Sequence, residues 1–187
     1  MAGIRVITGT AKGRRLAMVP GKGSRPIGDR VKESLFNIIG IFIQDSRFLD
    51  LFAGTGSVGI EALSRGAAAC IFLDNNSQAI KTIEANIELT GFYDRGFIIL
   101  RDAFEFLRGE GGDTFDIVYV APPQYLQLWK KTLLILDNSP QWLNPDAWVI
   151  AQMHPDEYEQ LELVHLEEFD KRRYGNTLLV FYELPGE

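Results

Sequence analysis

The sequence is poor in the residues that cross-link a protein, ligate metals or anchor it in a membrane. Its single cysteine, Cys70, lies in an apolar run and cannot form an internal disulfide, so a reducing compartment is expected. The two histidines, His154 and His165, have no serine or cysteine partner pattern, and we assign neither a catalytic role. No apolar run approaches the roughly 18 residues that span a bilayer, and no signal-peptide pattern is present. We therefore predict a cytoplasmic protein with no membrane anchor and no bound metal.

Charge is unevenly spread along the chain. Residues 1–36 hold eight basic and two acidic side chains, whereas the remainder holds 11 basic and 23 acidic ones, so the net charge of −6 combines +6 with −12. An acidic body with a basic N-terminal segment is typical of nucleic-acid binding, although a solvated surface segment can carry the same charge. Charge alone leaves both interpretations open.

Residue patterns predict an α/β fold. From about residue 47, short apolar segments alternate with helical periodicity, which indicates a mainly parallel sheet with helices on both faces. The tail offers two more strands with a linker so short that they must form an antiparallel hairpin. We predict strands at about 47–52, 68–73, 96–100, 115–120, 147–152, 161–168 and 177–184, the linker at 171–176, and helices at about 57–65, 77–90, 126–137 and around Phe104 and Leu107.

A β-hairpin and a helix are predicted before this core. Residues 4–8 alternate in polarity and can pair with residues 14–19 across the turn-rich segment 9–13, which places Lys12 at the hairpin tip. Asp29 is a suitable N-cap for a following helix whose apolar residues share one face.

The stretch from Phe48 to Gly59 carries the strongest chemical signal. A short apolar strand runs into Gly54 and Gly56, and a helix is predicted from about residue 57. Glycine allows backbone angles and a close ligand approach that other residues deny, and a helix start presents free N–H groups to that ligand. The G-x-G-x-x-G spacing matches the dinucleotide fingerprint, with Asp74 about 20 residues on as a ribose-binding acid. Taken alone, this turn predicts a nicotinamide cofactor.

Neighbouring residues favour S-adenosylmethionine instead. Asp50 in the first strand can accept a hydrogen bond from a cationic amino group, and Asp102 after the third strand can accept one from an adenine amino group. A turn at Pro122 and Pro123 follows the fourth strand. Ligands of open α/β sheets bind at the carboxyl ends of the strands, where all these residues are predicted. Each carboxylate also has a plainer alternative: Asp50 can be a helix-capping or turn carboxylate, Asp74 a turn residue, and Asp102 an N-cap.

The sequence resembles the RsmD family of methyltransferases over almost its whole length. The segments that carry the resemblance are ITGTAKGRRL at 7–16, RPIGDRVKE at 25–33, DLFAGTGSVGIEALSRGA at 50–67 and KRRYGNT at 171–177. That family methylates the exocyclic N2 amino group of a guanine in small-subunit (16S) ribosomal RNA, so the resemblance implies this activity. It also implies a Rossmann-like class I methyltransferase fold, with a seven-stranded mostly parallel sheet, an antiparallel C-terminal hairpin and an N-terminal β-hairpin extension.

The resemblance implies a division of the chain and a set of site residues. Residues 1–27 are expected to form a basic hairpin and loop that contact RNA, and residues 28–187 the methyltransferase domain. The expected partner is small-subunit ribosomal RNA or an assembling subunit, and the expected state is monomeric. The residues expected to bind S-adenosylmethionine are Asp50, Phe52, Ala53, Gly54, Thr55, Gly56, Asp74, Asn75, Asp102 and Ala103, and those expected to bind RNA are Lys12, Arg14, Arg15, Arg25 and Arg30.

The motif after the fourth strand departs from the family pattern. The family has Asp-Pro-Pro followed by Tyr or Phe, whereas the catalytic positions here read Ala121, Pro122, Pro123, Gln124 and Tyr125. An acidic side chain and the first proline's carbonyl would each accept one guanine N–H and so orient the nitrogen lone pair. Ala121 lacks that carboxylate, and losing one preorganised polar group costs on the order of 100- to 1,000-fold in rate. Either Tyr125 stacks on the base through a shifted backbone, or Gln124 contacts the base by hydrogen bonds.

Three functional hypotheses follow from this motif. The first is an active guanine-N2 methyltransferase with a modified site, and the second is a module that binds S-adenosylmethionine or RNA without turnover. The third is a methyltransferase with a different target amino group or nucleic acid. A nicotinamide-dependent enzyme is a weaker alternative that a cofactor titration would separate.

Overall fold

A single seven-stranded sheet organises the computed structural model, which describes residues 4–21 and 26–186. The strands are β1 (Arg47–Asp50), β2 (Ala69–Asp74), β3 (Gly96–Leu100), β4 (Phe115–Val120), β5 (Leu143–Met153), β6 (Glu167–Tyr174) and β7 (Thr177–Glu183). Their order in the sheet is β3-β2-β1-β4-β5-β7-β6. Strands β1 to β5 pair in parallel, and β7 runs antiparallel to both β5 and β6. The predicted sheet with its antiparallel C-terminal hairpin is confirmed.

Helices cover both faces of this sheet, because its central strands are apolar on both sides. In β4, Ile117 and Tyr119 pack into the core on one face, whereas Val118 and Val120 pack into the core on the other. The first face is covered by α1 (Asp29–Ile39), α2 (Ser57–Ser64) and α3 (Ser77–Thr90), and the second by α4 (Ala103–Leu107) and α5 (Leu128–Asp137). Among residues 4–21 and 26–186, no helix has the length and apolar content needed to cross a membrane.

The N-terminal β-hairpin forms, but it is shorter than predicted. Backbone hydrogen bonds join Val6 to Arg14 and Leu16 to Ile4. The pairing does not continue to residue 8, because the N–H groups of residues 7 and 8 donate to the carboxylate of Glu61 in α2 at 2.8 and 3.0 Å. The hairpin is therefore fastened to the helix that follows the glycine turn.

The sixth strand lies later in the chain than predicted. The prediction of 161–168 is wrong, since β6 spans Glu167–Tyr174 and includes most of the predicted linker. The carboxylate of Asp137 accepts hydrogen bonds from the N–H groups of Val164, His165 and Leu166, at 2.8–2.9 Å. These donors are satisfied outside the sheet, so the basic run that follows pairs with β7 instead.

Smaller differences concern the ends of elements. Gly28, not Asp29, occupies the N-cap position of α1, and the Asp29 carboxylate accepts a hydrogen bond from Arg5 Nε at 2.9 Å. Helix α5 begins at Leu128 because Gln127 takes a left-handed backbone conformation with φ of 54°. Strand β5 begins four residues earlier than predicted, at Leu143.

Candidate cofactor and nucleic-acid site

The glycine turn lies between β1 and α2, at the carboxyl edge of the sheet. Gly54 and Gly56 have φ of 56° and 74°, a left-handed conformation that favours glycine. A Cβ built on Gly54 would meet nothing within 4 Å, so space for a ligand opens directly beside this backbone. A Cβ on Gly59 would lie 2.3 Å from Phe72 Cε1, so the third glycine allows α2 to pack closely on β2. Gly59 therefore has the packing role that the fingerprint predicts for its third glycine, whereas the open space lies at Gly54 and a Cβ on Gly56 would lie 3.3 Å from the Ile83 side chain.

Asp50 lies at the end of β1, beneath the glycine turn, and is only 1% exposed. Its Oδ2 accepts a hydrogen bond from the Gly59 N–H at 3.2 Å, which satisfies a donor in the first turn of α2. The N-cap residue of that helix, Gly56, has no side chain to do this. Burial raises the pKa of the Asp50 carboxyl to about 7, the Gly59 hydrogen bond opposes the rise, and the negative charge of Asp74 adds to it.

Asp74 ends β2 and holds the turn from the other side. Its Oδ2 accepts a hydrogen bond from the Gly54 N–H, and its Oδ1 accepts one from the Asn76 N–H, both at 2.9 Å. Each carboxylate oxygen has a second lone pair, so Asp74 can still accept from a ribose hydroxyl. The neighbouring Asn75 is exposed at the same edge.

Asp102 follows β3 and is the N-cap of α4, as the plainer alternative proposes. Its Oδ1 accepts hydrogen bonds from the N–H groups of Phe104 and Glu105, at 2.9 and 3.1 Å. Within the described residues its Oδ2 accepts none, so the cap leaves one oxygen for a ligand. Ala103 is buried in the core, and the partly buried ring of Phe52 packs edge-on against Phe104, with ring centroids 6.4 Å apart.

Thr55 and Ala53 complete the glycine turn from within the core. Ala53 donates its N–H to Leu73 O at 3.0 Å, and Thr55 O accepts from the Asn86 side-chain amide at 2.9 Å. Asn86 also exchanges hydrogen bonds with the backbone of Ala17, at 2.7 and 3.1 Å. A single buried amide thus couples the glycine turn to the N-terminal segment, a link that the sequence pattern did not reveal.

The loop after β4 lies at the same edge of the sheet as the turn. Strand register pairs Asp50 with Tyr119, so Ala121 stands two residues beyond that level on the neighbouring strand. Ala121 is half-buried, Pro122 is buried, and Pro123 and Gln124 are exposed. Tyr125 is 65% exposed and has a φ of 63°. The backbone is locally left-handed at Tyr125, and the choice between Tyr125 and Gln124 as the base contact stays a prediction.

Glu157, which the sequence analysis missed, and His154, to which it assigns no catalytic role, hold this loop. Glu157, 7% exposed, accepts a hydrogen bond from the Tyr125 N–H at 2.7 Å, and its other oxygen accepts one from the His154 N–H at 3.4 Å. The His154 ring lies against the Tyr125 ring, with centroids 5.4 Å apart. A glutamate three residues after His154 fits the spacing of a capping box, so the sequence indicates a turn here. It does not indicate that Glu157 contacts a loop 32 residues away.

The basic residues predicted to bind RNA are surface residues where the structure describes them. Lys12, Arg14, Arg15 and Arg30 are exposed, and Arg25 lies outside the described residues. The hairpin tip itself packs on Ser64, the last residue of α2, and so lies at the end of that helix away from the glycine turn. Lys12, Arg14 and Arg15 therefore lie beside the helices that cover the first face of the sheet. Arg30 lies at the start of α1.

Across residues 4–21 and 26–186, no group of three or more His, Cys, Asp or Glu side chains is placed to hold an ion.

Known proteins resemble the chain in sequence and in fold. Ribosomal RNA small subunit methyltransferase D of Haemophilus influenzae is 32% identical over 97% of this chain and 92% of its own length. The solved structure of yhhF from Escherichia coli superposes with a TM-score of 0.87 at 28% identity, covering 98% of this chain and 99% of that one. An RNA methyltransferase from Salinibacter ruber, solved with S-adenosyl-L-homocysteine, covers 87% of this chain and 95% of its own with a TM-score of 0.67; at 16% identity it bears on the fold alone.

The sheet order, its antiparallel last strand and the glycine turn define the Rossmann-like fold of class I methyltransferases. Within that class, the family described as "Conserved hypothetical protein 95" matches residues 4–183. The chain belongs to this family, which is the RsmD family that its motifs resemble.

Proposed function

We propose that this protein is an S-adenosylmethionine-dependent methyltransferase that modifies the exocyclic N2 amino group of a guanine in small-subunit ribosomal RNA. The observation that carries the proposal is the arrangement at the carboxyl edge of the sheet. There Asp74 accepts a hydrogen bond from the open backbone of Gly54, Asp50 accepts one from Gly59 at the start of α2, and the loop that begins at Ala121 follows the neighbouring strand. The H. influenzae relative is named for methylation of small-subunit ribosomal RNA.

The residues at this edge fit S-adenosylmethionine. Asp50 has an oxygen for the cationic amino group, Asp74 has lone pairs for the ribose, and Asp102 has an oxygen for the adenine amino group. The space beside Gly54 admits a ligand against the main chain. When bound, this cofactor supplies a methyl group on an electrophilic sulfonium.

The loop after β4 supports the assignment of an amino group as the target. A guanine amino nitrogen is a poor nucleophile, because its lone pair is delocalised into the ring. The Pro122 carbonyl can accept one of its N–H groups and so direct the lone pair toward the methyl donor. The Ala121 side chain supplies no second acceptor. Tyr125, whose N–H donates to Glu157, can stack on a base that has left its helix.

The basic N-terminal surface supports RNA as the substrate. Exposed Lys12, Arg14 and Arg15 can contact phosphates, which gives a salt-dependent affinity with little sequence preference. Placement of one unpaired guanine against the loop after β4 then supplies the discrimination.

A module that binds without turnover is the second candidate, and Ala121 is the observation that favours it. Without the motif carboxylate, the barrier rises by roughly 3–4 kcal/mol. Cofactor alignment and proximity still support slow transfer, because they do not depend on that carboxylate.

A cofactor titration with a matched aspartate pair tests the first half of the proposal. The wild-type protein should bind S-adenosylmethionine and not NAD. Asp74→Ala should weaken that affinity about 10-fold or more, since a charged acceptor is lost. Asp94→Ala, at an exposed turn position, should leave it unchanged. Undiminished affinity in Asp74→Ala would remove Asp74 from the ribose role, and NAD binding in place of S-adenosylmethionine would contradict the proposal.

A further inference from the structure

The turn between β6 and β7 lies at the same edge of the sheet as the cofactor site. Strand β5 is parallel to β4, with Val120 beside Ala151, and Met153 pairs with Leu178 near the start of β7. Because β7 is antiparallel, its first residues stand at the carboxyl ends of the parallel strands. The turn that precedes β7, at residues 175–176, therefore projects from the edge where the candidate site lies.

Strand spacing gives the distance of this turn from the catalytic loop. Arg173 pairs with Leu178, two residues beyond the level of Val120 and three strands away from β4. At about 3.3 Å per residue and 4.8 Å per strand, the backbone of Arg173 is about 16 Å from that of Val120, the last residue before the catalytic loop. An RNA whose guanine enters the site therefore passes this turn within a few nucleotides of the target.

The cations of β6 differ in their partners. Lys171 Nζ lies 3.6 Å from the Glu168 carboxylate, and Arg172 Nε lies 3.1 Å from Asp170. Arg173 has no carboxylate partner among the described residues, and its Nε donates to Gly175 O at 3.1 Å. The exposed guanidinium of Arg173 is thus held at the turn with its charge uncompensated.

Register places the two arginines on opposite faces of the sheet. Arg173 pairs with Leu178, which packs into the core beneath α4 and α5, whereas Arg172 pairs with Leu179, which packs into the other core. Arg172 is therefore a matched comparison for Arg173, since it has the same side chain on the same strand but a neutralised charge and the other face.

Cations on an outer strand also have a purely structural use, since they discourage pairing with another sheet. That use does not require a position beside the ligand edge or a guanidinium fixed by the turn. Arg173 has both features: it lies at the ligand edge of the sheet, and its guanidinium is fixed by the turn. It also lies in the acidic part of the chain, where an uncompensated cation favours the binding of a polyanion at this edge.

We propose that the β6–β7 turn is a second RNA-contact surface, in which Arg173 and the exposed Asn176 bind the backbone of nucleotides that flank the target. It would hold the RNA on the side of the site away from the glycine turn. The inference rests on the proposed function and adds a contact region to it.

Salt-dependent binding of small-subunit RNA tests this proposal. Arg173→Ala should lower the slope of log K against log salt by about 0.7–0.9 and weaken binding about 5- to 8-fold at 0.1 M salt, as expected for one lost phosphate contact. Arg173→Lys should keep most of the slope, and Arg172→Ala should match the wild type. S-adenosylmethionine affinity and melting temperature should be unchanged in all three variants.

Two outcomes would overturn the proposal. One is an Arg173→Ala variant with the wild-type slope, and the other is an equal loss in Arg172→Ala and Arg173→Ala, which would indicate diffuse charge. The proposed function would be contradicted instead if the wild-type protein binds this RNA but transfers no methyl group. The comparison of Arg172→Ala with Arg173→Ala would still decide whether the turn contacts RNA.

Discussion

In the proposed function, Asp50 is the residue whose carboxyl links S-adenosylmethionine binding to pH. Burial raises the pKa of its carboxyl to about 7, so below that pH the free protein holds a proton there. A bound cationic amino group favours the carboxylate and lowers this pKa. Binding should therefore release a proton below pH 7, and affinity should rise as the pH increases to about 7 and then level off.

Calorimetry in buffers of different ionisation heat measures this proton. At pH 6, the wild type should release up to about one proton as S-adenosylmethionine binds, whereas Asp50→Asn, which has no titrating carboxyl, should release none. Equal proton release by the two proteins would place the titrating group elsewhere.

Ala121 is the second residue at which a single change is decisive. Ala121→Asp restores the acceptor that the family motif supplies, and methyl transfer should rise on the order of 100-fold if the loop otherwise follows the family geometry. Initial rates with labelled cofactor and small-subunit RNA give the measurement, and Ala121→Asn, which keeps an acceptor without the charge, separates orientation from charge. An unchanged or lower rate in Ala121→Asp would mean that another group has taken over this role.

At the scale of elements, the short turn after β5 should control the conformation of the loop after β4. Glu157→Ala removes the acceptor of the Tyr125 N–H, so the left-handed backbone loses its restraint. A lost hydrogen bond to a charged group costs about 1.5–3 kcal/mol. We expect kcat/KM for RNA to fall about 10- to 100-fold, while affinity for S-adenosylmethionine is retained.

Glu159→Ala is the matched control for that experiment. Glu159 is partly exposed and pairs with Lys130 at 2.5 Å, so its loss should change the rate little. If Glu157→Ala behaves like Glu159→Ala, the turn does not position the loop.

The attachment of the N-terminal hairpin to α2 should contribute to the free energy of unfolding. Fully buried Glu61 accepts two hairpin N–H groups and Arg65 Nε, and lies 3.8 Å from the buried ammonium of Lys32. Glu61→Ala leaves that ammonium without its partner and should lower the free energy of unfolding by about 3–5 kcal/mol in urea titrations. Glu84→Ala, on the exposed face of α3, should change it by less than about 0.5 kcal/mol. Equal losses of unfolding free energy in Glu61→Ala and Glu84→Ala would show that Glu61 does not anchor the hairpin.

At the scale of the whole molecule, the sheet and the glycine turn could be predicted because their signals are local. Apolar segments alternating with helical periodicity predict parallel strands, and Gly54 and Gly56 encode the left-handed turn by their spacing. The edge at which Asp50, Asp74 and Asp102 lie follows from the direction of the strands.

The features that could not be predicted depend on contacts between distant segments. Strand β6 begins later than its pattern predicts, because the Asp137 carboxylate accepts hydrogen bonds from backbone N–H groups about 28 residues later in the chain. The hairpin is short because Glu61, more than 50 residues away, takes the N–H groups that would extend it. The contact of Glu157 with Tyr125 could not be predicted for the same reason, since the two residues are remote in sequence.

The most direct measurement is methyl transfer from labelled S-adenosylmethionine to small-subunit ribosomal RNA from a strain that lacks this protein, followed by nucleoside analysis. We expect label in N2-methylguanosine, with transfer slow in the wild type and faster in Ala121→Asp. Label in another nucleoside would contradict the assignment of the target amino group. No transfer by either protein, despite cofactor binding, would contradict the assignment of a methyltransferase.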